Sequence, residues 1–250
     1  MAKSFLHNPV RIVVGTKNSA TTSVKQRLVF CGQEEGKLIA LRDLIRGGVT
    51  PPVIIFVQSK ERANQLYHEL LQDNLHIDII SADRTKSQRD ASINQFRQGN
   101  IWFLIATDLM ARGMDFYGVN LVINYDIPTT PTQYIHRIGR AGRAGMFLFF
   151  SPFCLFSYAS SKGLTGEAVT FYTQADVNML RSIVNVMKNS GMVLPEWLSE
   201  IKKITPQEQR MLVFQPPERE AICDVPEDKA NVEKSKTNPL VGKKRNRQQN

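Results

Sequence analysis

The stretch Val53–Leu71, VIIFVQSKERANQLYHELL, decides the fold class. Its first five residues are all apolar and mostly β-branched, as a strand buried on both faces requires. After Gln58 the pattern changes. Ala63, Leu66, Tyr67 and Leu70 recur at i, i+3, i+4 and i+7, which marks one face of a helix. The same grammar continues outward. Arg27–Cys31, Ile77–Ile80, Ile101–Ala106, Leu121–Asn124 and Ala168–Tyr172 read as further strands, and Val177, Leu180, Val184 and Met187 mark a further helix. Buried strands alternating with amphipathic helices predict an α/β domain with a mostly parallel sheet and helices on both faces. In such sheets ligands meet the carboxyl ends of the strands. Thr107, Asp115, Asp126 and the arginines of Tyr134–Gly145 are therefore expected just after strands.

The 250 residues and 42% hydrophobic content suffice for one sizeable core with extensions. The net charge of +9 is uneven: Lys234, Lys236, Lys243, Lys244, Arg245 and Arg247 carry six of the nine, with no acid among them. Such a segment reads as a disordered basic tail, either simply solvated or a nucleic-acid or nuclear-targeting element. Cys31, Cys154 and Cys223 are odd in number and far apart, which argues against a disulfide scaffold or a zinc site. The start, MAKSFLHNPV, has no apolar core of a secretory signal.

Four stretches carry chemistry. YIHRIGRAGRAG, Tyr134–Gly145, sets Arg137, Arg140 and Arg143 at three-residue spacing, on roughly one side if helical. Arginine presents a rigid donor fork suited to phosphate oxygens, while a basic surface helix with salt bridges is the plainer reading. ATDLMARGMDF, Ala106–Phe116, supplies Thr107, Asp108, Arg112, Gly113 and Asp115 at a strand end, where a hydroxyl and backbone amides meet phosphate well. A simple helix cap by Asp108 is the alternative there. Ser59 and Lys60 sit where the Val53 strand runs into its helix, and Arg89 stands near another helix start.

Together, VIIFVQSKERA, ATDLMARGMDF, VNLVINYDIP and YIHRIGRAGRAG, in this order and spacing, resemble motifs IV, V, Va and VI of the second RecA-like domain of DEAD-box RNA helicases. The resemblance runs from Gln26 to Gly145 and resumes over Gly166–Leu198. It implies a three-layer RecA-like domain at 26–192, preceded at 1–25 by a remnant of a first RecA-like domain and a linker. An extension with the basic tail follows at 193–250. SVKQRLVFCGQEEGK and SADRTKSQRD are most similar to the branch acting in small-subunit ribosomal RNA processing, which implies pre-ribosomal RNA and assembly proteins as partners, no membrane, and a nucleolar location. The family binds ATP between two RecA-like domains, with magnesium held by the first. By the resemblance, Arg140 and Arg143 reach the ATP phosphates as fingers, Arg137 and His136 couple the domains, and Asp115 meets the ribose beside Gly113. Ser59, Lys60, Arg89, Thr107 and Arg112 hold the RNA sugar-phosphate backbone.

The sequence also departs from the family. It contains no GxxxxGK[ST], no DEAD tetrapeptide and no SAT, and only HNPVRIVVG matches the end of a first domain. The chain alone is expected not to hydrolyse ATP, as a fragment or a partial gene model, because positioning and metal charge supply most of that catalysis. Lys86 stands where the family has Gln. Met146–Thr165 is a Phe-rich insert where the family has only a few residues. It reads as a translated intron, a splice variant or a true loop, rather than a membrane span in mid-domain. Two other readings stay open: a non-catalytic RNA- or partner-binding module, and a DNA-directed translocase.

Overall fold

The computed structural model describes residues 24–111, 116, 119–141, 166–201 and 205–222. The elements run β1 (Val24–Phe30), α1 (Glu34–Arg46), β2 (Val53–Val57), α2 (Lys60–Leu71), β3 (Ile77–Ile80), α3 (Lys86–Arg97), β4 (Phe103–Thr107), α4 (Asp108–Ala111), β5 (Leu121–Asn124), α5 (Pro131–Ile138), β6 (Gly166–Tyr172), α6 (Val177–Asn189), α7 (Trp197–Glu200) and α8 (Pro206–Phe214). The strands form one sheet in the order β1-β6-β5-β2-β4-β3, and every adjacent pair is parallel.

Parallel pairing needs a crossover between strands, and the amphipathic helices supply it. Side chains of β2 alternate between two cores. Ile54 and Phe56 join α3, α5 and α6 on one face, through Phe96, Tyr134 and Leu180 among others. Val53, Ile55 and Val57 join α1 and α2 on the other, through Leu38, Leu41, Ala63 and Leu66. This is the three-layer arrangement expected from the apolar runs. At Gly36 a Cβ would lie 2.0 Å from the backbone oxygen of Cys31, so only glycine lets α1 lie this close to the end of β1.

Strands β2, β3 and β5 match their expected bounds, whereas β1 begins earlier, at Val24. It is an edge strand whose Lys25 and Arg27 point to solvent between buried Val24 and Gln26, so alternation replaced the continuous apolar run. A larger difference concerns the extension expected at 193–250, part of which packs against the domain. Helix α8 runs on to Phe214, and residues 215–222 return across the carboxyl ends of the strands, where Ile222 enters the α1/α2 core. Arg219, in that segment, makes the ion pairs described below. No helix among the described residues is long and apolar enough to cross a membrane. The insert 146–165 and the basic tail lie outside the described residues.

Candidate functional site

Helix α5 carries Arg137 and leads to Arg140. It starts cleanly: Thr130 Oγ1 accepts from the Gln133 backbone amide, the Gln133 side chain accepts from the Thr130 amide, and Pro131 occupies the first turn. It also ends early, at Ile138 with Gly139 as its cap. Arg137 and Arg140 therefore do not share one helical face. Arg137 lies in the helix and Arg140 in the turn after it.

Arg137 is turned inward and only 3% exposed. Its Nε and Nη2 donate to the two oxygens of Asp108, both at 2.7 Å. Its Nη1 donates to the backbone oxygen of Asp126 at 2.6 Å and to Asn124 Oδ1 at 3.4 Å. The guanidinium carbon also lies 5.2 Å from the centre of the Phe56 ring. One side chain thus ties the exit of β4, the exit of β5, and α5 together. A bidentate, planar, nearly dry contact of this kind is one that arginine makes and lysine does not. Asp108, weighed as a mere helix cap, is instead the ion partner of Arg137. His136 is exposed on the same helix and Arg140 is half-buried beyond it. Phe56, Asp108, Gln133, His136, Arg137 and Arg140 line one shallow cleft.

Of the residues expected on RNA, Ser59, Lys60, Arg89 and Thr107 lie at or just after the ends of β2, β3 and β4. Thr107 closes β4 and pairs in register with Val57 of β2. Ser59 caps α2, its hydroxyl accepting from the Arg62 amide. Lys60 is exposed and pairs with Asp83 at 3.1 Å, a contact that raises the lysine's pKa. Arg89 lies in the first turns of α3, with Nη1 against Met110 Sδ at 3.3 Å and a buried Nε that has no protein partner. Lys86 is exposed at the start of the same helix. Arg112, Gly113, Asp115 and Arg143 lie outside the described residues.

Sequence reasoning missed a second cluster behind the same strand ends. Glu34, Lys37, Arg62, Asp126, Asp176 and Arg219 form one buried network of three carboxylates and three cations. Lys37 and Asp126 are fully buried. Burial would raise the Asp126 carboxyl, but Lys37, Arg62 and Arg219 overcome it and hold the pKa down at about 2. Asp176 is lowered the same way, its burial offset chiefly by Arg219. Arg219 in turn is raised above its ordinary value, because Asp126, Asp176 and Glu34 outweigh its burial. The available signal was the charged residues at the exits of β1, β2, β5 and β6, which the fold rule places at one sheet edge.

Asp126 joins the two clusters. Its backbone oxygen accepts from Arg137 on the α5 side, while its carboxylate accepts from Arg62 and from the Gln58 backbone amide on the α2 side. No group of three or more His, Cys, Asp or Glu side chains arranged to hold a metal ion exists among the described residues. A groove of about 1020 Å³ lies beneath α8 and residues 217–220, with Glu34, Asp176 and Arg219 in its lining.

Residues 36–145 match the family model described as Helicase conserved C-terminal domain. The chain is 43% identical over 240 residues to the probable ATP-dependent RNA helicase DDX52 of Mus musculus, covering 96% of this chain. It is 47% identical over 213 residues to the ATP-dependent RNA helicase ROK1 of Vanderwaltozyma polyspora, covering 85% of this chain. Among solved structures it is similar to S. cerevisiae Dbp5 bound to RNA and ADP BeF3, with a TM-score of 0.61 and 29% identity over 77% of this chain and 46% of that one.

The chain carries the conserved C-terminal domain of DEAD-box RNA helicases.

It spans 37% and 34% of the two curated relatives' own lengths. Within that span lies the helicase C-terminal RecA-like domain, and its parallel six-stranded sheet is the fold of that domain. Arg137, the Thr107 strand end and the Ser59 turn lie at the carboxyl ends of the strands, where α/β domains bind ligands.

Proposed function

We propose that this domain is the second half of an ATP-dependent RNA helicase, closing on ATP and RNA against a first RecA-like domain. The observation that carries the proposal is the tether of Arg137 to Asp108 and to the Asp126 carbonyl. It fixes the end of α5, so that Arg140 is presented from a rigid platform at the strand ends. Preorganised cations cost no reorganisation when charge develops on a phosphoryl group.

The donor set of this chain fits one side of a bound triphosphate. Arg140 and Arg143 would face its terminal phosphate, and Asp115 with Gly113 its ribose. When bound, ATP supplies the phosphoanhydride whose cleavage resets the closed state. The described residues do not fit a magnesium site, since Asp108 is engaged by Arg137 and the buried carboxylates Glu34, Asp126 and Asp176 are each paired with Lys37, Arg62 or Arg219. Magnesium is assigned to the first domain. His136 and Arg137 act between the domains, Arg137 by fixing α5 and His136 from its exposed position. On the RNA side, Ser59, Lys60, Arg89, Thr107 and Arg112 hold phosphates and 2′-hydroxyls without reading bases. The unpartnered buried Nε of Arg89 supports this, because a donor left without an acceptor is one a phosphate oxygen can satisfy.

The similarity to the ribosomal-RNA-processing branch favours pre-ribosomal RNA and assembly proteins as partners and the nucleolus as the location. Alone, the chain is expected to be silent as an ATPase. The test is RNA-stimulated ATP hydrolysis by the chain alone, then with the amino-terminal RecA-like half of a close relative added in trans. Activity on mixing that Arg140→Ala lowers by about 10³-fold or more, with RNA binding retained, is the expected result. A folded chain inactive in both conditions would favour a non-catalytic binding module. Equal use of DNA and RNA would favour a DNA-directed translocase.

A further inference from the structure

Residues 215–222 lie behind the turn that leads from β2 into α2. Gln58, the residue before Ser59 and Lys60, is held there by both ends of its side-chain amide. Its Nε2 donates to the Pro217 backbone oxygen at 2.9 Å, and its Oε1 accepts from Arg219 Nε at 2.7 Å. Its backbone amide donates to Asp126 Oδ2 at 2.9 Å. Arg219 is anchored in turn, with Nη2 donating to Asp176 Oδ1 at 2.8 Å and Nη1 reaching Glu34 Oε2 at 3.5 Å. Two more contacts hold the strap along its length: Arg62 Nη1 donates to the Glu220 backbone oxygen, and the Ile222 amide donates to Gln65 Oε1 at 3.1 Å. The clamp on Gln58 therefore comes from about 160 residues away in the chain.

We propose that this strap is a positioning element for the RNA-gripping turn, with Arg219 as its positioning residue; the inference rests on the reading of Ser59 and Lys60 as RNA contacts. The physical case is geometric. Gln58 has one backbone and two side-chain restraints, and two of the three come from the strap. Ser59 and Lys60 follow it directly, and their direction is set by how Gln58 is held. Arg219 does two separable things. Its charge completes the balance of three cations against three carboxylates, which any cation in that place restores. Its fork reaches Gln58 with Nε while Nη2 stays on Asp176, and a single lysine ammonium cannot span both.

The test uses the full chain and separates these roles. Arg219→Lys keeps the charge and is expected to melt near the wild type. It should still shift the amide NMR signals of Ser59 and Lys60 and weaken binding of a fluorescein-labelled single-stranded oligo-uridine by about three- to tenfold, the worth of one lost charge-assisted contact. Gln58→Ala, which leaves the ion network untouched, should give the same loss, and the double variant should add nothing further. Arg219→Lys and Gln58→Ala binding RNA as the wild type does, with Ser59 and Lys60 signals unmoved, would overturn the proposal and leave Arg219 a purely structural residue. Lys60→Ala and Arg89→Ala are the control for the underlying reading. If they lower RNA affinity while the strap variants do not, only the strap proposal fails. If neither set matters, or the wild-type chain binds no RNA, the RNA surface itself is misassigned and the proposal falls with it.

Discussion

Asp126→Asn isolates what the buried charge cluster contributes. Asp126 accepts from Nε and Nη2 of Arg62 at 2.8 and 2.9 Å and from the Gln58 amide at 2.9 Å, with Lys37 Nζ at 3.4 Å. Its folded pKa of about 2 compares with an unfolded value of about 3.9, a gap worth roughly 2–3 kcal/mol of preference for the ionised form. A depressed carboxyl pKa stabilises the fold above the unfolded value. That contribution is therefore complete above about pH 4 and is lost as the pH falls towards about 2. Asparagine does more than remove the charge. It leaves three buried cations facing two carboxylates and turns either an amide N–H or a single acceptor towards Arg62. We therefore expect a loss in the range for breaking a buried pair, about 3–5 kcal/mol. The assay is urea unfolding followed by circular dichroism at neutral pH, with the midpoint falling and the slope unchanged. The melting temperature should drop by about 6–20 °C. Across acid, the wild type should lose stability between about pH 4 and pH 2, whereas the variant should lose less. The platform for Arg140 should survive in the folded variant, because Arg137 binds the Asp126 backbone oxygen and not its carboxylate. A loss below about 1 kcal/mol at neutral pH, against the several expected for a broken buried pair, or an unchanged acid profile, would refute the reasoning.

Two further outcomes follow from the site. Arg137→Lys keeps a charge but cannot hold both Asp108 oxygens and the Asp126 carbonyl; a thermal melt should show a loss of about 2–4 kcal/mol, and RNA-stimulated hydrolysis with the complementary half should fall with it. Hydrolysis unchanged in that variant would remove α5 tethering from the mechanism. Lys60→Ala touches an exposed side chain and should leave the melt unchanged. It should weaken binding of all single-stranded sequences alike and reduce the salt slope of log K by about 0.7, the value of one phosphate contact. An unchanged slope would place Lys60 off the RNA.

How much was legible depends on the range of the signal. The apolar run Val53–Val57 and the helical period from Ala63 to Leu70 are local, and each appears where the spacing placed it. The order of motifs was legible as well, because the carboxyl-end rule gathers Thr107, Asp126 and Arg137 at one end of the strands without any knowledge of their contacts. The side-chain directions were not. Arg137 and Arg140 look equivalent in HRIGR. One is sealed against Asp108 and the other is half-exposed, because α5 ends at Ile138 between them. That ending is a backbone event that three-residue spacing does not report. Nor did anything near Arg219 announce its role: its neighbours Pro217, Glu218 and Glu220 read as polar extension.

The sequence by itself determined the class of fold, the family and the edge of the sheet where the chemistry lies. Those follow from hydrophobic period and from motif order, which are properties of neighbours along the chain. Only the tertiary structure decided which charges are buried together and which are left for ligands. Lys37 and Asp126 are 89 residues apart, and Gln58 and Arg219 are 161 apart. A buried charge is tolerable only where an opposite charge is delivered to it, and that delivery is made by the packing of four strand ends and a returning strap.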